Sequence, residues 1–151
     1  MCINGKVVKV HKNVPVTNPI RAYRAWRVND WGNGPVLGTT FSPRNPWGKA
    51  KNEYRAHHTP GQYQLNDTGI HAKKNLKEVK KWFKDYNHIY GIISLSGRVV
   101  EHVNGYRAQV ARIEKIYVPE RLYHLVDGLK KNYPNVKVVR LSRPKAVLNV
   151  C

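Results

Sequence analysis

Acidic residues are the scarce class in this chain. Nine Asp and Glu stand against 27 Lys and Arg in 151 residues, a formal charge of +18. The first acid is Asp30, by which point Lys6, Lys9, Lys12, Arg21, Arg24 and Arg27 have passed, and none follows Asp127 although Lys130, Lys131, Lys137, Arg140, Arg143 and Lys145 do. Such a body repels itself and calls for an anionic partner or a strong core. Cysteine is nearly absent: Cys2 and Cys151, one at each end, make no disulfide framework, and free thiols are favoured over a terminal bridge. No run approaches the ~20 apolar residues that span a bilayer. The opening Met-Cys-Ile-Asn-Gly-Lys lacks the apolar stretch of a secretory signal, so the expectation is a cytoplasmic protein. Internal repeats, low-complexity tracts, a Walker A loop, a GxSxG elbow, a dinucleotide glycine fingerprint and a CxxC pair are all missing.

Apolar residues make up 41% of the chain, enough for a core, so this is not a disordered polybasic arm. The length predicts a single domain over 1–151 with a basic C-terminal segment, 142–151. Val7 to Val10 is β-prone. Ile20 to Val28 alternates, with Ile20, Ala22, Arg24, Trp26 and Val28 on one face and Arg21, Tyr23, Ala25 and Arg27 on the other, the signature of a half-buried strand. Val36 to Phe41 returns after a turn, Lys49 to His58 reads as a weak helix, and Gly69 to Ala72 as a short strand. Asn75 and Glu78 form a capping box ahead of Leu76, Val79, Trp82 and Phe83, predicting a helix over 75–85. Asn104-Gly105 signals a hairpin in which Val103 pairs with Tyr106 and Glu101 faces Ala108, with a bulge near Val110-Ala111. Pro119 opens a second amphipathic helix, and Val136 to Leu141 is a last strand. The fold class is α+β: a mainly antiparallel sheet with two or three helices packed on it.

Glu101 falls among apolar residues, where a carboxylate must be protonated or paired, and Arg24 has the matching position among Ile20, Ala22 and Trp26. A structural Arg24–Glu101 ion pair is favoured over a catalytic acid or base. The histidines show no zinc-site spacing, so neither metal nor cofactor is expected. His102 lies beside Arg107, which makes a phosphate contact or base chemistry conceivable there. The catalytic candidates are accordingly Glu101, His102 and His71. Arg21-x-Tyr23-x-x-x-Arg27 places cations around a ring, the combination that single-stranded nucleic acid platforms use, although a packed Tyr23 is equally compatible. Trp31, Trp47 and Tyr54 bring further rings near Arg44, Lys49, Lys51 and Arg55, whereas Trp26 and Trp82 read as core. The helix presents Lys77, Lys80, Lys81 and Lys84 as possible phosphate contacts.

The strings Arg21-Ala22-Tyr23-Arg24-Ala25-Trp26, Gly69-Ile70-His71-Ala72 and Gly97-Arg98-Val99-Val100-Glu101-His102-x-x-Gly105-Tyr106-Arg107-Ala108 resemble a family of small proteins from bacteriophages, prophages and bacteria. Relatives carry a cysteine just before the Gly-Ile element where this chain has Thr68. The resemblance brings no activity with it. It implies a phage-encoded accessory protein, including one that interferes with host defence.

Three functional classes follow. The first and favoured is a binding module for nucleic acid or a nucleoprotein complex, using Arg21, Tyr23, Arg27, Arg44, Lys77, Lys80, Lys81, Lys84 and Arg107. The second is a nucleotide-cleaving enzyme built on Glu101 and a histidine. The third is an inhibitor or sponge that binds a host defence protein or a nucleotide signal.

Overall fold

The computed structural model describes residues 5–30, 32, 34–38, 47–49, 51, 53–56, 59–60, 69–82 and 88–142. Arg44, Lys84, His57, His58, Trp31, Thr68, both cysteines, the Trp82 ring and 143–151 lie outside them. The spine is a long hairpin of β6 (His88–His102) and β7 (Gly105–Val118). Along β6 run β2 (Ile20–Asp30), which pairs with its first half, and β1 (Val7–Val14), which pairs with its second. Along β7 run β5 (Ile70–Ala72), β4 (Tyr54–Arg55) and β8 (Lys137–Arg140), and β3 (Pro35–Gly38) completes the eight-stranded sheet beyond β2. All pairings are antiparallel except β7–β8, which is reached through a helical crossover as parallel pairing requires. Residue Lys73, just past β5, exchanges both backbone hydrogen bonds with Tyr23 of β2. The circuit β2–β6–β7–β5 therefore closes on itself, which removes two edges from solvent. The architecture is α+β and mainly sheet, as the patterning predicts.

The hairpin register departs from expectation. His102 pairs with Gly105 and Glu101 with Tyr106, so the turn is Val103-Asn104 and Ala108 faces Val99. The bulge is on β6 rather than β7: Gly97, at φ 72°, and Arg98 face Gln109, whose Oε1 accepts the Arg98 amide hydrogen at 3.0 Å. An L-residue at Gly97 would meet both an unfavourable φ and a Cβ 2.6 Å from that oxygen. A second irregularity sets Glu114 between Ile113, which pairs with Ile93, and Lys115, which pairs with Ile92.

α1 (Leu76–Trp82) starts as predicted, the Glu78 amide donating to Asn75 Oδ1 at 2.9 Å. The second helical stretch is a 3-10 helix (Glu120–Leu125) running into α2 (Val126–Asn132), with Pro119 at the cap position. Residues 54–55 form a strand where the sequence suggests a weak helix, because Tyr54 packs its ring on Trp47, with centroids 4.6 Å apart. Among the described residues no helix is long and apolar enough to cross a membrane.

The core gathers the inward residues of β2, β6 and β7. Trp26 is fully buried and meets Trp47 edge-on at 5.4 Å. Gly91 makes room for it: a Cβ there would sit 2.0 Å from the Lys115 carbonyl oxygen and 3.0 Å from the Trp26 ring. Tyr133, from the end of α2, ties β3 to the Trp47 segment. Its hydroxyl accepts the Leu37 amide at 2.8 Å and donates to the Trp47 carbonyl at 2.5 Å, and burial pushes the phenol up to about 12.

Candidate nucleic-acid interface

The alternation of β2 fixes what faces outward. Ala22, Arg24, Trp26 and Val28 are buried, while Arg21 and Arg27 are exposed and Tyr23 half-buried. Strand pairing then extends each outward residue into a row. Arg21 aligns with Ser94 and Arg112; Tyr23 with Ile92, Lys115 and Lys137; Ala25 with Tyr90, Tyr117 and Val139; Arg27 with His88. Neighbouring strands lie about 4.8 Å apart, so the cations and rings of these rows stand close together on one side of the sheet, on which Ala25, His88 and Ser94 are themselves buried. α1 packs on this face through Val79, which clusters with Ala25, Tyr23 and Tyr90. That placement brings Lys80 Nζ 5.7 Å from the Tyr90 ring centre, and Lys115 Nζ stands at the same 5.7 Å from Tyr117. Lys77 and Lys81 are exposed on the helix.

Three of the expected binding residues, Arg21, Tyr23 and Arg27, thus share the face, with Lys80 beside them and Lys77 and Lys81 on the same helix. Lys84 and Arg44 lie outside the described residues. Arg107 is a correction: it is 2% exposed, and its Nε donates to His102 Nε2 at 2.9 Å. Opposite Val100 in the ladder and buried, it is no surface phosphate contact. Trp47 and Tyr54 are likewise turned into the core rather than displayed.

The Arg24–Glu101 ion pair does not form. Glu101 instead meets Lys74 Nζ at 2.8 Å and His11 Nε2 at 3.0 Å. Those partners, Lys74 foremost, hold its carboxyl below the usual carboxylate range. Arg24 is buried and gives an N–H to the His71 carbonyl at 2.6 Å, its guanidinium 5.0 Å from the Trp47 ring centre. Desolvation lowers its pKa to about 10, which leaves it charged at neutral pH. The sequence missed these partners because β1 and the stretch after β5 are remote in the chain and nothing local announces them.

The catalytic candidates do not assemble. His102 Nδ1 lies 2.5 Å from the Gly5 carbonyl, to which it donates, so Nε2 is the lone pair that Arg107 occupies. His71 is buried in β5, across the ladder from Arg107. Neither bonds to Glu101. Among the described residues no three of His, Cys, Asp and Glu come together as a metal site.

Tyr90, Tyr117, Lys115, Lys137 and Arg112 are members of the face that sequence reasoning missed. The alternation His88, Tyr90, Ile92, Ser94 was the available signal, but only the cross-strand register shows that it continues the Arg21-Tyr23-Arg27 side. Comparison with protein-family models, curated proteins and solved structures finds no significant match.

Proposed function

We propose that the chain is a nucleic-acid-binding module whose ligand lies across the outward face of β2, β6, β7 and β8. The observation that carries this reading is the set of rows itself. Tyr23, Tyr90 and Tyr117 are half-buried, with Arg21 two residues along the strand from Tyr23, Lys80 at the Tyr90 ring and Lys115 at the Tyr117 ring. α1, packed on Ala25, Tyr23 and Tyr90, brings further exposed lysines. Half-burial holds a ring in place while leaving part of it for stacking, which contributes about 1–3 kcal/mol per base on such platforms. The cations supply a sequence-independent attraction to phosphate. The ligand class is single-stranded nucleic acid, alone or in a nucleoprotein complex. The resemblance to phage and prophage proteins supports an accessory role against host defence as its setting.

The test is fluorescence anisotropy of a labelled single-stranded oligonucleotide across a salt series. Log affinity is expected to fall linearly with log salt with a slope of about −3, corresponding to roughly four neutralised phosphates. A flat response overturns the proposal.

A second reading, cleavage of nucleotides, has one observation in its favour. Glu101 does hold a histidine, His11, and through Nε2, which leaves Nδ1 as the nitrogen available for proton transfer. Lys74 stands on the same carboxylate. Labelled RNA that stays intact after prolonged incubation removes this reading; cleavage abolished in His11→Ala sustains it.

A further inference from the structure

A cleft of about 420 Å³ is lined by Lys51, Ser94, Arg112, Ile113, Glu114, Asn135 and Val136, of which Ser94 and Arg112 belong to the same face. Its volume falls in the roughly 300–1,000 Å³ range of small-ligand sites. Ser94 and Arg112 are cross-strand partners one row along from Ile92 and Lys115. The bulge between Ile92 and Ile93 is what places Glu114 here, as the extra residue of β7. Two features need explaining. Arg112 has a buried Nε with no hydrogen-bond partner among the described residues, while its terminal nitrogen reaches Glu53 at 3.4 Å. And a carboxylate, Glu114, stands beside Arg21 and Arg112, with Glu53 a second acid at Arg112, where it would repel a phosphate backbone.

The acceptor sites of Glu114 resolve the second. Oε2 accepts from Ser94 Oγ and from Arg21 Nε at 3.3 Å, and Oε1 takes another Arg21 nitrogen at 3.2 Å. A carboxylate has about four lone-pair positions, so one remains, on Oε1. A single open acceptor suits a single hydroxyl donor. It does not suit the paired N–H groups of a guanine edge, which need both oxygens. Arg21 spends two of its N–H groups on Glu114, and its others are left for phosphate.

Resting on the nucleic-acid reading, we infer that this cleft is a ribonucleotide subsite: Glu114 accepts a hydrogen bond from a ribose 2′-hydroxyl, with Arg112 and Lys51 at the adjoining phosphate. The ligand class is thereby narrowed to RNA. Ser94 and Arg21 act as positioning residues that fix the carboxylate.

The experiment compares labelled single-stranded oligo(A), oligo(U) and oligo(C) as ribo, deoxy and 2′-O-methyl forms, against wild type and Glu114→Gln, with melting temperature as a fold control. Wild type is expected to prefer the ribo form about tenfold for every base, the order expected of a charge-assisted hydrogen bond. The 2′-O-methyl form, which lacks the donor, should bind like the deoxy form. In Glu114→Gln the ribo-to-deoxy ratio should fall towards one, the ratio being read within the variant because loosening Arg21 changes the affinity of both forms. Equal ribo and deoxy affinity, a preference that follows the base rather than the sugar, or one that 2′-O-methyl retains, overturns the inference while leaving the binding face intact. If no oligonucleotide binds, the proposed function falls with it.

Discussion

Arg21, Arg24 and Arg27 sit on one strand and differ only in the side they face. Arg21 is exposed and its ion pair with Glu114 has 73% of the arginine side chain in solvent, the kind of contact that adds about 0–1 kcal/mol to stability. Arg24 is 9% exposed, bonded to a backbone carbonyl and set against an indole, with a depressed pKa. One guanidinium belongs to the interior and bonds the β5 backbone; the other two stand at the surface, where the proposed ligand would meet them. Net charge alone does not distinguish them. The strand period does, because it decides which arginine meets Trp47 and which meets water.

The comparison can be broken most severely at Gly91, the partner of Arg24 across the ladder. Gly91→Ala is expected to cost about 3 kcal/mol, read as a lowered denaturation midpoint, since the new methyl collides with the Lys115 carbonyl. Next, Arg24→Ala should cost about 2 kcal/mol by chemical denaturation, because the buried His71 carbonyl loses its guanidinium donor. Arg21→Gln and Arg27→Gln should by contrast move stability within about 0.5 kcal/mol. Both should weaken oligonucleotide binding and make the salt slope shallower by about 0.7 each. Should Arg24→Ala impair binding at unchanged stability, or Arg27→Gln unfold the protein, the division between the faces would be lost.

The smallest expected effect concerns Glu101. Its carboxyl is held below the unfolded value of about 4.3, so the pair's contribution is complete above that pH and disappears as pH falls through the folded value. Melting temperature followed from neutral to strongly acid pH should drop in wild type below about pH 4. In Glu101→Gln it should start lower and fall less over that interval. Superimposable curves would remove the Lys74–Glu101–His11 contacts from the stability account.

Much of this was legible from local pattern. The face assignment of β2 follows from strict alternation, the Asn75 cap from its side chain and spacing, and the hairpin from Asn104-Gly105. The register was not, because the chain turns at Val103-Asn104 rather than at Asn104-Gly105, and further along β6 Gly97, in a left-handed conformation, adds a bulge. Nor was the placement of Arg107, since sequence does not show that β1 pairs alongside β6 and brings the Gly5 carbonyl to His102, the partner of Arg107. The proposed binding face was half legible. Arg21, Tyr23 and Arg27 share a strand and can be read together, but Tyr90, Tyr117, Lys115 and Lys137 join them only through pairings between segments far apart in the chain.

The most direct measurement of the central claim is residue-resolved NMR during titration with a single-stranded oligonucleotide at low salt. The account predicts that shifts concentrate on Arg21, Tyr23, Arg27, Tyr90, Lys115, Tyr117 and Lys137 while Arg24, Trp26 and Arg107 stay in place. Shifts confined to the β1 side around Lys9 and Lys12, or none at all, would contradict it.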